Sequence, residues 1–390
     1  MKAKGNNLLI FILTVGVFSI INTEMGVIGI LPLLAERFGV TITRAGLLIS
    51  LFALAVAFSG PVLPLVFSGV NRKKMMLWVL GVFAAGNIVS IFTDNFAVAL
   101  AARIVPAIFH PVYCSLAFSV AAASAAEEDR LKSVARVIVG VSAGMVLGVP
   151  ISSFVASNFS LDAAMAVFAA GNLAAFLATL VFVPDLPVEG RVSCREQLGL
   201  LKRPVLILSI IGIIFMNGAV FGVFSFLSGF LENVTHLSWN SISMVLLIYG
   251  SANILGNVIG GRLLTKAPLR TAVLFAPALA AVFAALYFAG SSAWAVFAIT
   301  LVWGILGGIN VNINQYWITS AAPEAPDFAN GLFLTAANLG TTFGTMLCGE
   351  IIAAFGIGSM MLGGIIFLAL CFMFICARIY AGRSSVSVAV

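Results

Sequence analysis

Long apolar runs, separated by short polar connections, follow one another along the whole chain. Most of them reach the roughly 18 residues, nearly free of charge, that an α-helix needs to cross a bilayer. Proline, glycine and charged clusters interrupt the pattern and predict twelve transmembrane helices. The predicted spans lie near residues 8–33, 45–67, 75–93, 97–122, 134–156, 162–183, 205–230, 240–263, 270–290, 293–318, 329–354 and 359–380.

The composition excludes a water-soluble globular protein. Hydrophobic residues make up 62% of the chain and charged residues 9%, whereas a soluble domain has about 45–50% and about 25%. The excess apolar surface needs lipid as its solvent, so the expected fold class is an all-α polytopic membrane protein. The five cysteines lack the spacing of a metal site or a disulfide framework, and no metal or cofactor is expected.

The N-terminus resembles a secretory signal, because Lys2 and Lys4 precede an apolar run that starts at Leu8. That run continues to about Leu34 without a small-residue cleavage site. We therefore expect an uncleaved first span.

The positive charges predict an orientation. Of the 20 Lys and Arg residues, all but three fall in the tails and the even-numbered connections; Arg37 and Arg44 lie on the opposite side, and Arg103 lies inside a span. By the positive-inside rule, both termini of this multi-pass protein are expected to face the cytoplasm, in a bacterial-type inner (plasma) membrane. The net charge of +6 is not gathered in a basic arm, so no nucleic-acid partner is expected.

An internal repeat divides the chain into two halves. We expect an N-terminal half at 1–183, a cytoplasmic linker at 184–203 and a C-terminal half at 204–390, with substrate bound between the halves. An offset of 196 residues places Gly60 on Gly256, Glu128 on Glu324, Gly144 on Gly340 and Gly148 on Gly344.

Four motifs have the form of a known transporter family. Residues 23–32 read Thr-Glu-Met-Gly-Val-Ile-Gly-Ile-Leu-Pro, an acidic first-helix signature. Gly60 is followed at 69–74 by Gly-Val-Asn-Arg-Lys-Lys, a cytoplasmic loop motif, Arg103 stands in the fourth helix, and the fifth helix is glycine-rich. On these residues the whole chain resembles the major facilitator superfamily, and within it the drug/proton antiporters that include arabinose, purine-nucleoside and multidrug efflux permeases.

The resemblance implies a fold of twelve helices in two six-helix halves and proton-coupled efflux by alternating access. It also implies that small residues let helices five and eleven pack closely at the boundary between the halves. The gating or hinge residues implied in this way are Gly60, Arg72, Gly140, Gly144, Gly148, Pro150, Gly340 and Gly344.

Two positions depart from the family pattern. The loop motif has Pro64 where the family usually has Asp, which argues against a charge-relay gate there. The helix-five motif reads Gly-Val-Pro from Gly148 instead of Gly-Pro, and Ser152 and Ser153 replace the glycine pair that commonly follows. Sugar and purine exporters of the family often show this second variant.

Charged residues inside the membrane are the first candidates for a functional site. Inserting each one into the bilayer costs roughly 2.5–3.5 kcal/mol of free energy. Glu24 lies in the outer half of the first helix, Arg103 has the opposite sign at similar depth, and His110 lies seven residues further on nearly the same face. These three are the proton-coupling candidates. The alternatives are a structural acceptor for Glu24, snorkelling for Arg103 and packing for His110. Glu350, near the outer end of helix eleven, is expected to reach solvent.

Uncharged polar side chains form stripes on four helices of the second half. Within a helix they recur three, four or seven residues apart, which places them on one face. Amides mixed with aromatic rings suit a neutral or weakly polar solute, such as a sugar, a nucleoside or an aromatic drug. Hydrogen bonding between helices is the alternative. The substrate-binding candidates are Asn217, Phe221, Phe224, Tyr249, Asn253, Asn257, Asn310, Asn314 and Asn338.

The preferred hypothesis is a secondary transporter that exports a small solute in exchange for protons, because no phosphate-binding glycine loop is present. An importer or facilitator of the same fold is the alternative, since the sequence does not set the direction of flux. A membrane receptor or scaffold is a distant alternative, and a catalytic constellation for an enzyme is missing. The expected partners are the small-molecule substrate, protons and the lipid bilayer, and the protein is expected to be monomeric.

Overall fold

The computed structural model describes residues 2–125, 129–185, 203–322 and 326–387, and the regular elements in these ranges are helical. Glu128, Glu324 and most of the expected linker lie outside the described residues. The α-helices are α1 (Lys2–Gly29), α2 (Leu31–Arg37), α3 (Ile42–Ala45), α4 (Leu47–Ser59), α5 (Leu63–Val66), α6 (Arg72–Phe92), α7 (Phe96–Ala123), α8 (Arg130–Asn158), α9 (Leu161–Phe182), α10 (Pro204–Phe224), α11 (Leu227–Asn233), α12 (Trp239–Lys266), α13 (Pro268–Ala289), α14 (Ala293–Thr319), α15 (Pro326–Phe355) and α16 (Met360–Ser387).

Eleven helical segments within the described ranges are long and apolar enough to cross a membrane. The thirty-residue helix α15 has the length as well, but Asn338, Glu350 and several threonines make it more polar. With α15, these segments correspond to the twelve predicted spans.

Several helices begin at a polar residue whose side chain accepts a hydrogen bond from the first turn. Asn71 accepts from the backbone N–H of Lys74 at 3.0 Å, and Asn95 and Ser160 cap α7 and α9 in the same way. Such caps satisfy backbone donors that have no partner inside the helix. They place the starts of α6, α7 and α9 in the polar connections between the apolar runs.

The first helix of each half is broken, and the breaks fall at equivalent positions of the repeat. Ile30 separates α1 from α2 with φ −122° and ψ 14°, and Phe226 precedes α11 with φ −110° and ψ 6°. Pro32 in the first turn of α2 cannot donate to the preceding helix, which accounts for the first break. At the second, the hydroxyl of Ser225 donates to the carbonyl of Phe221 at 2.6 Å, a bond that bends helices. The predicted spans at 8–33 and 205–230 are present as helical segments, and each contains a break that the sequence analysis did not predict.

The second predicted span also ends earlier than expected. α4 ends at Ser59 instead of continuing to residue 67. Pro61 removes a backbone donor and disfavours helical geometry at Gly60, so the chain turns before the short helix α5. Gly60 thus lies in a turn, and its gating role stays a prediction.

The chain forms two compact units, and the first comprises Met1–Val40 and Phe58–Val192. Within it α8 packs closely against α1 through the glycine-rich motif of helix five. A Cβ at Gly140 would lie 2.4 Å from the carbonyl oxygen of Thr14, and one at Gly144 would lie 2.7 Å from the Cβ of Ile21. The backbones approach so closely that only glycine fits at these positions.

The second unit comprises Thr41–Ala57 and Ser193–Val390. Here α15 packs against α10 in the same manner, and a Cβ at Gly340 or Gly344 would lie 2.4 Å and 2.2 Å from the carbonyl oxygens of Ile214 and Gly218. The expectation that these glycines face the opposite half is wrong, because both motifs face the first helix of their own half. The half boundaries at 1–183 and 204–390 stay a prediction.

Arg378, which the charge pattern counts among the basic residues of the C-terminal tail, is a buried side chain of α16. Its Nε donates to the hydroxyl of Ser209 at 2.6 Å, and its Nη2 donates to the hydroxyl of Ser320 at 2.8 Å and to the carbonyl of Trp317 at 3.1 Å. The guanidinium carbon lies 3.8 Å from the centroid of the Trp317 ring. Because its fork of donors reaches α10 and the C-terminal end of α14, Arg378 joins these two helices to its own helix, α16.

Candidate functional site

A buried acid–imidazole pair lies inside the first unit. His110 of α7 places its Nε2 atom 3.3 Å from Oε2 of Glu24 on α1, and the two side chains are only 9% and 13% exposed. The structure therefore brings together the two titratable candidates that the sequence singled out. The thiol of Cys114 lies 4.0 Å from the same imidazole nitrogen, one turn further along α7.

Arg103 completes this cluster through the backbone of α1. Its guanidinium donates to the carbonyl oxygens of Thr23 at 3.2 Å and Glu24 at 3.4 Å, and the residue is 7% exposed. Arg103 does not snorkel to the membrane surface, because its guanidinium points into the unit and binds the backbone of α1. Arginine keeps its charge under physiological conditions, so it supplies a fixed positive charge beside the carboxylate.

A second layer of buried polar groups holds the Glu24 segment in place. The hydroxyl of Thr23 accepts hydrogen bonds from the amides of Asn87 on α6, at 3.1 Å, and Asn172 on α9, at 2.9 Å, and donates to the carbonyl of Ser19. The sequence analysis missed both amides. Each stands as an isolated asparagine in an otherwise apolar span, whereas the amides of the second half were selected because they form stripes along a helix face.

The aromatic candidates of the second unit belong to a buried ring cluster. Phe224 of α10 and Tyr249 of α12 stack with centroids 4.3 Å apart, and Trp303 of α14 meets both edge-on. Trp303 is fully buried and also contacts Phe283. Such a cluster fixes the positions of α10, α12 and α14, and Trp303, which the sequence analysis missed, lies at its centre.

The amide candidates of α12 lie against α14, whereas those of α14 bond each other within that helix. Asn314 donates to the side-chain oxygen of Asn310 at 3.2 Å, and both residues are buried. Asn312, a further amide that was missed, donates to the backbone and side-chain oxygens of Asn257. The amide nitrogen of Asn253 would lie 2.9 Å from a Cβ at Gly307, so it also stands against α14. Hydrogen bonding between helices accounts for the Asn257 contact.

Three other candidates form hydrogen bonds or ring contacts within their own helices. Asn217 and Asn338 donate to carbonyls one turn earlier in their own helices, at 3.2 Å and 2.9 Å. Phe221 touches Phe224 edge-on. Glu350 is exposed on α15, and its access to solvent stays a prediction.

Two further gating candidates are Arg72 in α6 and Pro150 in α8. Arg72 is the first residue of α6, and the amide of the preceding Asn71 donates to the carboxylate of Asp185 at 2.7 Å. Pro150 lies inside α8 without ending that helix. Their part in gating stays a prediction.

Comparison with known proteins agrees with this architecture. The sequence profile of the Major Facilitator Superfamily matches residues 13–345. The MFS-type transporter YtbD of Bacillus subtilis is 31% identical over 375 residues, covering 93% of this chain and 95% of the relative. A probable sugar efflux transporter of Pasteurella multocida is 24% identical over 346 residues, covering 88% and 85%. The crystal structure of the nucleoside transporter NupG superimposes with a TM-score of 0.79 at 14% identity, over 97% of this chain and 99% of that one.

The chain belongs to the Major Facilitator Superfamily. Its members are transporters of small molecules and not enzymes, and the twelve-helix fold expected from the sequence is confirmed. Among the described residues, no group of three His, Cys, Asp or Glu side chains could hold a metal ion.

Proposed function

We propose that the protein is a secondary active transporter that exports a small neutral or weakly polar solute in exchange for protons, by alternating access. The observation that carries this proposal is the contact between Glu24 and His110, 3.3 Å long and buried inside the first unit. An ionisable pair in the membrane interior is costly and marks ion or proton pathways. The fixed charge of Arg103 next to it adds a reason to expect a site that responds to proton binding.

The pair can couple protonation to conformation because the attraction between Glu24 and its neighbours depends on whether Glu24 is ionised. With Glu24 ionised, the carboxylate is held by the imidazole edge and by the positive charge of Arg103. A proton on the carboxylate removes that attraction and leaves Arg103 bound to backbone carbonyls of α1. A conformation that separates α1 from α7 is then less costly, which is what a coupling proton must achieve.

Polar and aromatic side chains of the second unit support the proposed solute class. The buried amides of Asn310 and Asn314 and the rings of Phe224 and Tyr249 offer uncharged hydrogen-bonding and stacking groups. A sugar, a nucleoside or an uncharged aromatic drug would suit them, whereas an ion would not. The sugar efflux name of the Pasteurella multocida relative and the nucleoside named for NupG support this class.

Flux measurements in vesicles test the proposal. We expect purified protein in liposomes to drive a tritiated pentose or nucleoside against its gradient when a pH difference is imposed, because proton movement supplies the energy. Reversal of the pH difference should reverse the solute movement, and dissipation of it with a protonophore should stop accumulation. Facilitated equilibration alone, at any pH difference, would favour the facilitator alternative.

We propose further that both termini face the cytoplasm of a bacterial cell. In a variant without native cysteines, a cysteine at Asn71 is expected to react with a membrane-impermeant maleimide only after the membrane is opened. Cysteines at Asn158 and Ser291 are expected to react in intact cells, because the distribution of positive charge predicts that the connections after α8 and α13 face outward. Labelling in the opposite sense at these positions would reverse the orientation.

A further inference from the structure

A groove opens on the surface of the first unit between α6 and α9, separate from the polar cluster around Glu24. Its volume is about 470 Å³, within the range of about 300–1,000 Å³ typical of small-molecule sites. Apolar side chains line it except at one end, where Lys74 stands. Nothing in the proposed coupling mechanism uses this groove.

One face of α6 forms its floor. Lys74, Trp78, Gly81 and Ala85 recur four, three and four residues apart, so they lie in one row, and they span about 16 Å at 1.5 Å per residue. Phe176 of α9 forms the facing wall. A Cβ at Gly81 would lie 3.6 Å from the Phe176 ring, an ordinary contact. Helix packing therefore does not require glycine here, and the missing side chain leaves the groove open.

The charged end of the groove lies where α6 enters its apolar stretch. Lys74 is exposed, and within the described part of the chain its side chain forms no hydrogen bond or ion pair. Arg72 and Lys73 precede it in the first turn of α6, where the helix dipole also favours an anion. Trp78 lies one helical turn after Lys74 and is 58% exposed. Indole rings commonly take this position at a membrane interface.

We propose that this groove binds an anionic phospholipid. The phosphate lies at the ammonium group of Lys74, and one acyl chain follows the row of Trp78, Gly81 and Ala85 beneath Phe176. A zwitterionic phospholipid fills the apolar part equally well, but its headgroup gains less from the cluster of cations. The basic end of the groove therefore favours a negatively charged headgroup, and the apolar part binds an acyl chain.

Native mass spectrometry of the full-length protein with added phosphatidylglycerol or phosphatidylcholine tests this. Lys74→Gln is expected to weaken phosphatidylglycerol binding about fivefold, the effect of one lysine at a membrane surface, and to leave phosphatidylcholine binding unchanged. Gly81→Leu fills the groove and is expected to weaken binding of both lipids. Lys266→Gln, which changes an exposed lysine at the end of α12, serves as the matched control and is expected to bind like the wild type.

Three results would overturn the proposal. Equal losses in Lys74→Gln and Lys266→Gln would show diffuse attraction between the lipid and basic surface residues. Unchanged binding by Gly81→Leu and by Ala85→Leu, a second variant that narrows the same row, would show that no acyl chain lies there. Full displacement of the lipid by soluble glycerol phosphate at equal concentration would show a free-anion site. Thermal unfolding of each variant confirms that it is folded.

Discussion

Replacement of Glu24 by glutamine is expected to abolish proton-driven accumulation while leaving solute exchange intact. Glutamine keeps the size of the side chain and one hydrogen-bonding oxygen for the imidazole of His110, 3.3 Å away in the wild type, but it binds no proton near neutral pH. The variant is therefore expected to exchange labelled solute across a vesicle membrane at equal pH on both sides. It should not concentrate that solute when a pH difference is imposed.

The control for this experiment is Glu350→Gln, which removes an exposed carboxylate from α15. It is expected to accumulate solute at the wild-type rate. Glu24→Asp shortens the acid by one methylene group, and we expect partial activity because titration survives while the contact with His110 lengthens. Wild-type accumulation by Glu24→Gln would refute the assignment of Glu24, and His110→Asn would then test the remaining titratable group of the pair.

A single methyl group at Gly344 is expected to stop transport almost completely. A Cβ there would lie 2.2 Å from the carbonyl oxygen and 2.6 Å from the Cα of Gly218, both backbone atoms that have no rotamer to change. α15 and α10 would have to separate, and such overpacking costs about 1–3 kcal/mol or more. Gly144→Leu is expected to have the same effect between α8 and α1, where Ile21 lies in the way.

The matched control is Gly261→Ala on α12, because a Cβ there would meet no atom within 4 Å. In a helix interior this change is favourable by up to about 1 kcal/mol, so wild-type transport and equal or higher thermal stability are expected. Membrane insertion, monitored by yield and by size-exclusion profile, separates failure to fold from failure to transport. Transport by Gly344→Ala at the wild-type rate would show that close approach of α10 and α15 is unnecessary.

The sequence predicts where the helices lie better than it predicts where they break or what they contact. Apolar length predicts a span wherever lipid must solvate the helix, so all the predicted spans correspond to helical segments. The internal breaks were not predictable in this way, because Ile30 and Phe226 are apolar and their neighbourhoods remain apolar on both sides. The local signals were Pro32 in the first turn of α2 and Ser225 immediately before Phe226.

The same distinction holds for the candidate site. Glu24, Arg103 and His110 were identifiable because a charged or titratable group in an apolar span is rare and costly. Their contacts were not, because a helical period places residues on a face without showing which helix stands opposite. The glycine motifs illustrate the limit: close packing at Gly144 and Gly344 was predicted, but the partner helices are α1 and α10 of the same half.

The sequence by itself determined the membrane class, the number of spans, the two-fold repeat and the family motifs, since each depends on local composition and spacing along the chain. Tertiary structure alone decided that Glu24 meets His110, that Arg103 binds the backbone of α1, and that Arg378 is buried among three helices. These contacts join residues far apart in the chain, such as Ser209 and Arg378. They depend on how helices pack side by side, which no pattern within a single helix specifies.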